Sequence, residues 1–122
     1  MQISDEDFQH LIDQALTELP GEHAQNIKNI AILFEEEPTP EQRVRLKLDN
    51  HHTLLGLYEG VPLSQRQGLT PTLPDRITLF KLPLCLRANT PEELKESIKH
   101  TLWHEIAHYY GLNHDKISEL DK

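Results

Sequence analysis

Residues 104–114 read HEIAHYYGLNH, a pattern of three histidines, one glutamate and one glycine at fixed spacing. In an α-helix, four residues advance about 400° and rise about 6 Å, so His104 and His108 lie on one face, one turn apart. Both imidazoles can then reach one metal ion, while Glu105 points about 100° further round the helix. The pattern predicts a helix that carries two metal ligands and a general base for water activated by the metal.

The glycine and the third histidine extend this pattern beyond the helix. Gly111 can adopt the left-handed conformation that ends a helix, which would let the chain turn back and bring His114 to the metal. Asp115 is an alternative third ligand, or an acceptor for an imidazole N–H. Three protein ligands leave one position open, as in catalytic zinc sites. Because Gly111 and His114 also stand at fixed offsets from the first part of the motif, a chance match is rare even in a chain with 8 histidines.

The ligand set also indicates the metal and the reaction. Imidazole nitrogens favour Zn²⁺ over calcium or magnesium, and zinc both activates water and polarises a carbonyl group. Glu105 would accept the proton of the water and pass it to a leaving amine, which predicts hydrolysis of an amide or peptide bond. The phenols of Tyr58, Tyr109 and Tyr110 are candidates for stabilising an oxyanion, although the spacing fixes none of them.

The length, composition and charge of the chain indicate what kind of protein carries this site. With 122 residues, 37% hydrophobic and 26% charged, the chain is expected to form a single domain, residues 1–122. No apolar run approaches the ~20 residues of a membrane helix, and the acidic N-terminus does not resemble a secretory signal. Because Cys85 is the single cysteine, no intramolecular disulfide can form. We therefore expect a cytoplasmic protein without a membrane partner, and the net charge of −8 argues against nucleic acid.

Two helices are expected, one at each end of the chain. Ser4 is a good N-cap for a helix whose apolar residues recur as far as Leu19, and Pro-Gly at 20–21 ends it. Thr90, followed by proline and then by glutamate at the third position, predicts the start of a second helix over about 91–110. This second helix leads directly into the histidine motif.

The region between the helices contains strand signals. Apolar runs predict strands at 30–34, 54–58 and 77–80, with Gly56 as a candidate bulge, and the alternation over 44–48 indicates a further strand or a segment leading to one. The polar stretch 64–75 is the best candidate for a mobile loop. We therefore predict an α+β fold, with a small mixed sheet, an N-terminal helix and a C-terminal metal-binding helix.

The motif with its glycine and third histidine resembles the metzincin signature of zinc metallopeptidases. Over roughly residues 5–120 the chain resembles the minimal zincins, a family of small bacterial zinc metallopeptidases. The residues that carry this resemblance are 54–63, 73–80, 91–94 and 104–114. The resemblance implies a zincin-like fold, a peptide or protein substrate, Glu105 as the base, and His104 and His108 as zinc ligands, with His114 or Asp115 as the third.

Two departures from the metzincins bear on the expected function. The only methionine is Met1, so the methionine turn that lies under the metal in metzincins is absent, and eight residues follow His114. The cleft is therefore expected to be open on one side or completed by a protein partner. One alternative is a non-enzymatic zincin-like binding module with a structural zinc. A metal-dependent endoribonuclease shares the histidine spacing, but such proteins lack a glutamate at the position of Glu105.

Overall fold

A computed structural model of the chain describes residues 1–19, 30–45, 54–60 and 75–109. Four helices and three strands lie in these ranges. In chain order they are α1 (Asp5–Thr17), β1 (Ile30–Glu35), α2 (Pro40–Arg45), β2 (Gly56–Glu59), β3 (Asp75–Phe80), α3 (Lys81–Leu86) and α4 (Pro91–Tyr109). The mixture of helices with a small sheet confirms the predicted α+β class.

Helix α1 begins where the sequence predicts. The Ser4 side chain accepts a hydrogen bond of 3.1 Å from the backbone N–H of Asp7, which satisfies one of the donors left unpaired in the first turn. The apolar face buries Phe8 and other side chains of the same stripe in the core, namely Ile12 and Ala15. The helix ends at Thr17, two residues before Leu19, which is also buried.

The three strands form one mixed sheet with the order β1-β3-β2. Strand β1 pairs with β3 in parallel, from Ile30 opposite Asp75 to Glu35 opposite Phe80. Strand β2 pairs with β3 in antiparallel fashion, and its register runs without interruption from Gly56 to Glu59. The sheet is thus mixed, as predicted, but the expectation of a bulge at Gly56 is wrong because the pairing there is continuous. The central position of β3 makes β1 and β2 the outer strands of the described sheet.

Two short helices were not predicted from the sequence. Val44 was expected in or near a strand over 44–48, but it lies in α2, and residues 46–48 are outside the described ranges. A reciprocal pair of hydrogen bonds explains the helix: Gln42 N–H donates to Thr39 Oγ1 at 3.1 Å, and Thr39 N–H donates to Gln42 Oε1 at 2.8 Å. Helix α3, which was not predicted, directly follows β3.

Helix α4 has the predicted start and contributes more buried apolar side chains to the core than any other described element. The Glu93 N–H donates to Thr90 Oγ1 at 3.1 Å, while the Glu93 carboxylate accepts from the N–H of Asn89, one residue earlier than in a standard capping box. Its apolar stripe is fully buried against α1 and the sheet, and consists of Leu94, Ile98, Leu102 and Ile106. The described part of the helix ends at Tyr109, close to the predicted 110.

Two remaining expectations concern segments around the sheet. Most of the stretch 64–75, expected to be a mobile loop, is outside the described residues, but Asp75 itself is the first residue of β3 and is buried. Among the described helices, none combines the length and the apolar character that crossing a bilayer requires.

Candidate metal centre

Helix α4 places the first part of the histidine motif on one regular element. His104, Glu105 and the backbone of His108 all lie within Pro91–Tyr109, so the helical geometry assumed for the two histidines holds for the backbone. The side chain of His104 is half-buried. The side chain of His108, and the whole of Gly111, His114 and Asp115, lie outside the described residues. The third ligand therefore stays a prediction.

Glu105 is the chemically most unusual group in the described part of the chain. Its carboxylate accepts a hydrogen bond from the backbone N–H of Tyr58, while its Oε2 atom is buried and has no hydrogen-bond partner. Burial raises the pKa of this carboxyl group to about 8, against the smaller opposing effect of the Tyr58 N–H. Beside a bound cation the pKa would fall again, because an opposite charge favours the ionised form.

The direction of the Tyr58 N–H follows from the pairing of β2 with β3. The Phe80 N–H donates to the Leu55 carbonyl at 3.0 Å, which makes Leu55 and Phe80 a hydrogen-bonded pair. Because such pairs alternate along an antiparallel ladder, the backbone groups of Gly56 and Tyr58 point away from β3, towards the outer edge of β2. Glu105 therefore lies at the outer edge of this strand.

The side chain of Tyr58 is held by Asp75, the first residue of β3. The Tyr58 hydroxyl donates a hydrogen bond of 2.5 Å to Asp75 Oδ2, and Asp75 is only 3% exposed. The phenol proton is directed at this carboxylate, which argues against Tyr58 as a donor to an oxyanion. Tyr109 and Tyr110, the other candidates, have side chains outside the described part.

The structure also places three other residues considered in the sequence, His100, Trp103 and Cys85. The ring of His100 lies one turn before His104, with the two centroids 6.2 Å apart, and His100 is exposed. Trp103 is half-buried and packs against the core. Cys85 lies in α3, where it is buried, and burial raises the pKa of its thiol. These positions agree with packing or surface roles for Trp103 and Cys85.

One observation on the described residues supports a metal centre at this place. A buried carboxylate oxygen without a partner is costly, and Glu105 Oε2 is such an atom next to the predicted ligand His104. A water molecule activated by a metal on His104 would supply the missing donor. Among the described side chains, no group of three or more His, Cys, Asp or Glu could hold a metal ion, so the full ligand set is not visible there.

Sequence reasoning missed the contribution of the edge strand to this site. The contact between the Tyr58 N–H and Glu105 joins residues 47 positions apart, and Tyr58 takes part through its backbone, which no side-chain motif can signal. A weak signal does exist in Gly56. A glycine within a strand is typical of places where another element approaches the backbone closely.

The sheet is small and mixed, and its antiparallel edge strand packs against a long helix that carries His104 and Glu105. This arrangement is a zincin-like fold. The sequence model of the zincin-like metallopeptidase family matches residues 27–122, so the chain belongs to this family. The match includes every described strand and the whole histidine motif. No curated protein matches the chain. The family assignment supports a metallopeptidase at the level of the family.

Proposed function

We propose that the chain is a zinc-dependent peptidase in which His104, His108 and His114 hold Zn²⁺ and Glu105 is the general base. The family supports the general class, and the environment of Glu105 carries the specific proposal. A glutamate with a buried, unpartnered oxygen would be an unfavourable choice for packing alone. Its position is better explained by a partner that arrives with the metal and the substrate.

The residues of the chain would divide the work of hydrolysis as follows. Zinc held at this site supplies Lewis-acid activation of water and of the substrate carbonyl. Glu105 takes a proton from the attacking water and delivers it to the amine that leaves. The Tyr58 N–H holds the Glu105 carboxylate in one orientation, which favours proton transfer because the base need not be reorganised. The burial of Glu105 Oε2 limits its access to bulk water.

The outer edge of β2 is the best candidate for the substrate-binding surface. An extended peptide can add to a sheet edge through main-chain hydrogen bonds. The Gly56 N–H and carbonyl and the Tyr58 carbonyl point towards this edge, while the Tyr58 N–H is already paired there with the Glu105 carboxylate. A peptide paired with β2 would therefore pass next to Glu105, which supports a peptide or protein substrate. A protein partner that completes the cleft remains part of the proposal.

The metal is tested first, by elemental analysis of the purified protein. We expect about one zinc per chain in the wild type and its loss in His108→Ala, because two of three ligands hold a metal poorly. His10→Ala is the matched control, since His10 is exposed on α1 and its loss should leave the zinc content unchanged. A wild-type protein that neither contains zinc nor binds added zinc would contradict the proposal.

The reaction is tested with a library of internally quenched fluorescent peptides. Replacing the base in Glu105→Gln should lower hydrolysis by at least about 100-fold while zinc stays bound, since general acid–base catalysis contributes about 10²–10⁴-fold. Glu92→Gln, on an exposed turn of the same helix, is the matched control and should keep full activity. If zinc binds but wild type and Glu105→Gln are equally inactive on all peptides, the non-enzymatic binding module is the better description.

A further inference from the structure

Gly56 brings the edge strand unusually close to the metal-binding helix. A Cβ atom at Gly56 would lie 2.6 Å from Thr101 Cγ2 and 3.5 Å from Glu105 Cγ. The first distance is far below an ordinary carbon–carbon contact, so any side chain at this position would force the strand and the helix apart. The distance to Glu105 Cγ shows that Gly56 lies directly against the aliphatic part of the Glu105 side chain.

The reason for glycine at this position is space rather than backbone conformation. Gly60 is the glycine with a positive φ in the described chain, whereas Gly56 pairs in regular register with Leu79. Other residues could adopt the Gly56 backbone, but none could occupy the volume taken by the Thr101 methyl group. The constraint therefore concerns the distance between β2 and α4.

Thr101 cannot easily give way. Its hydroxyl donates a hydrogen bond of 2.8 Å to the Ser97 carbonyl, which fixes the rotamer and keeps the methyl group directed at Gly56. Turning the methyl away would break this hydrogen bond at a residue that is only 6% exposed. A Cβ at position 56 would thus displace the strand rather than the threonine.

We propose that Gly56 is a positioning residue for Glu105, because its missing side chain lets β2 approach α4 closely enough for the Tyr58 N–H to hold the Glu105 carboxylate. This inference rests on the proposed function for its catalytic consequence. Gly56 and Tyr58 are two residues apart on one short strand, so a shift at the first moves the donor at the second. Glu105 would then lose the contact that sets its orientation.

The experiment compares Gly56→Ala, Thr101→Ser and the double variant in the full chain with zinc added. The serine keeps the hydroxyl that donates to Ser97 and removes the methyl that faces residue 56, so the double variant restores the space. We expect Gly56→Ala to lower kcat for the quenched peptides by about 100-fold with zinc content unchanged, since a displacement of about 1 Å can have this effect. The double variant should recover most of kcat.

A spectroscopic readout separates positioning from general destabilisation. The Tyr58 amide resonance in ¹H–¹⁵N spectra should move in Glu105→Gln, which replaces the carboxyl acceptor by an amide, and should move in the same direction in Gly56→Ala. The double variant should return it towards the wild-type position. Ala15→Val, which overpacks the core face of α1, is the control for destabilisation and should leave the Tyr58 amide in place.

The outcomes distinguish this inference from the proposed function. An unchanged Tyr58 amide in Gly56→Ala, or a kcat that Thr101→Ser does not rescue, overturns the positioning role. If Gly56→Ala does not fold, the double variant must fold with a wild-type Tyr58 resonance, and its failure to do so also overturns the role. If the wild type binds no zinc and cleaves no peptide, the proposed function fails, while the amide shifts still decide whether Gly56 positions Glu105.

Discussion

Removing the Tyr58 hydroxyl should measurably destabilise the fold, because this hydroxyl serves a buried carboxylate. In Tyr58→Phe, Asp75 Oδ2 loses its 2.5 Å hydrogen bond at a residue that is 3% exposed, where water cannot easily replace the donor. Hydrogen bonds to charged groups contribute about 1.5–3 kcal/mol. Asp75 has a further interaction in the structure, so we expect the lower half of this range, about 2 kcal/mol.

Urea denaturation of a double-mutant cycle tests this reasoning. Tyr58→Phe, Asp75→Ala and the double variant are compared, and the double variant should be less destabilised than the sum of the single variants by about 1–2 kcal/mol. Thr17→Val is the control: it also removes a hydroxyl that donates one hydrogen bond, but at an exposed position, and should change the free energy of unfolding by less than about 0.5 kcal/mol. Strictly additive effects of the two substitutions would refute the proposed coupling.

Two further predictions concern the rest of the described structure. Gly60→Ala should lower the free energy of unfolding by about 2–4 kcal/mol, because φ is 153° and a Cβ would lie 2.4 Å from Asp75 Cγ. Urea denaturation would disprove this if the loss were no larger than in Val44→Ala, a control at a side chain that is 78% exposed. Burial raises the pKa of the Cys85 thiol, so at pH 8 its thiolate fraction is below that of an exposed cysteine. An aromatic disulfide reagent should react at least about tenfold more slowly with Cys85 in the folded than in the urea-unfolded chain, and equal rates would mean that the thiol is accessible.

The helices at the two ends could be predicted from the sequence because their signals are local. The Ser4 and Thr90 caps act within one turn, and the apolar stripes of α1 and α4 repeat with the helical period. The positions of all three strands were also predicted to within two residues at each end. Helix α2 was missed although the Thr39–Gln42 capping pair was readable, because the alternation that followed it resembled a strand.

The histidine motif predicted the class of chemistry from the sequence alone, since the spacing of His104, Glu105 and His108 on a helix requires no other part of the chain. The strand order β1-β3-β2, by contrast, follows from how the elements pack, and periodicity does not encode it. That order places β2 at the edge, the register of β2 with β3 turns the Tyr58 N–H outward, and the packing of β2 on α4 brings Gly56 against Thr101. The surroundings of Glu105 therefore depend on contacts between residues about 45 positions apart, which only the tertiary structure creates.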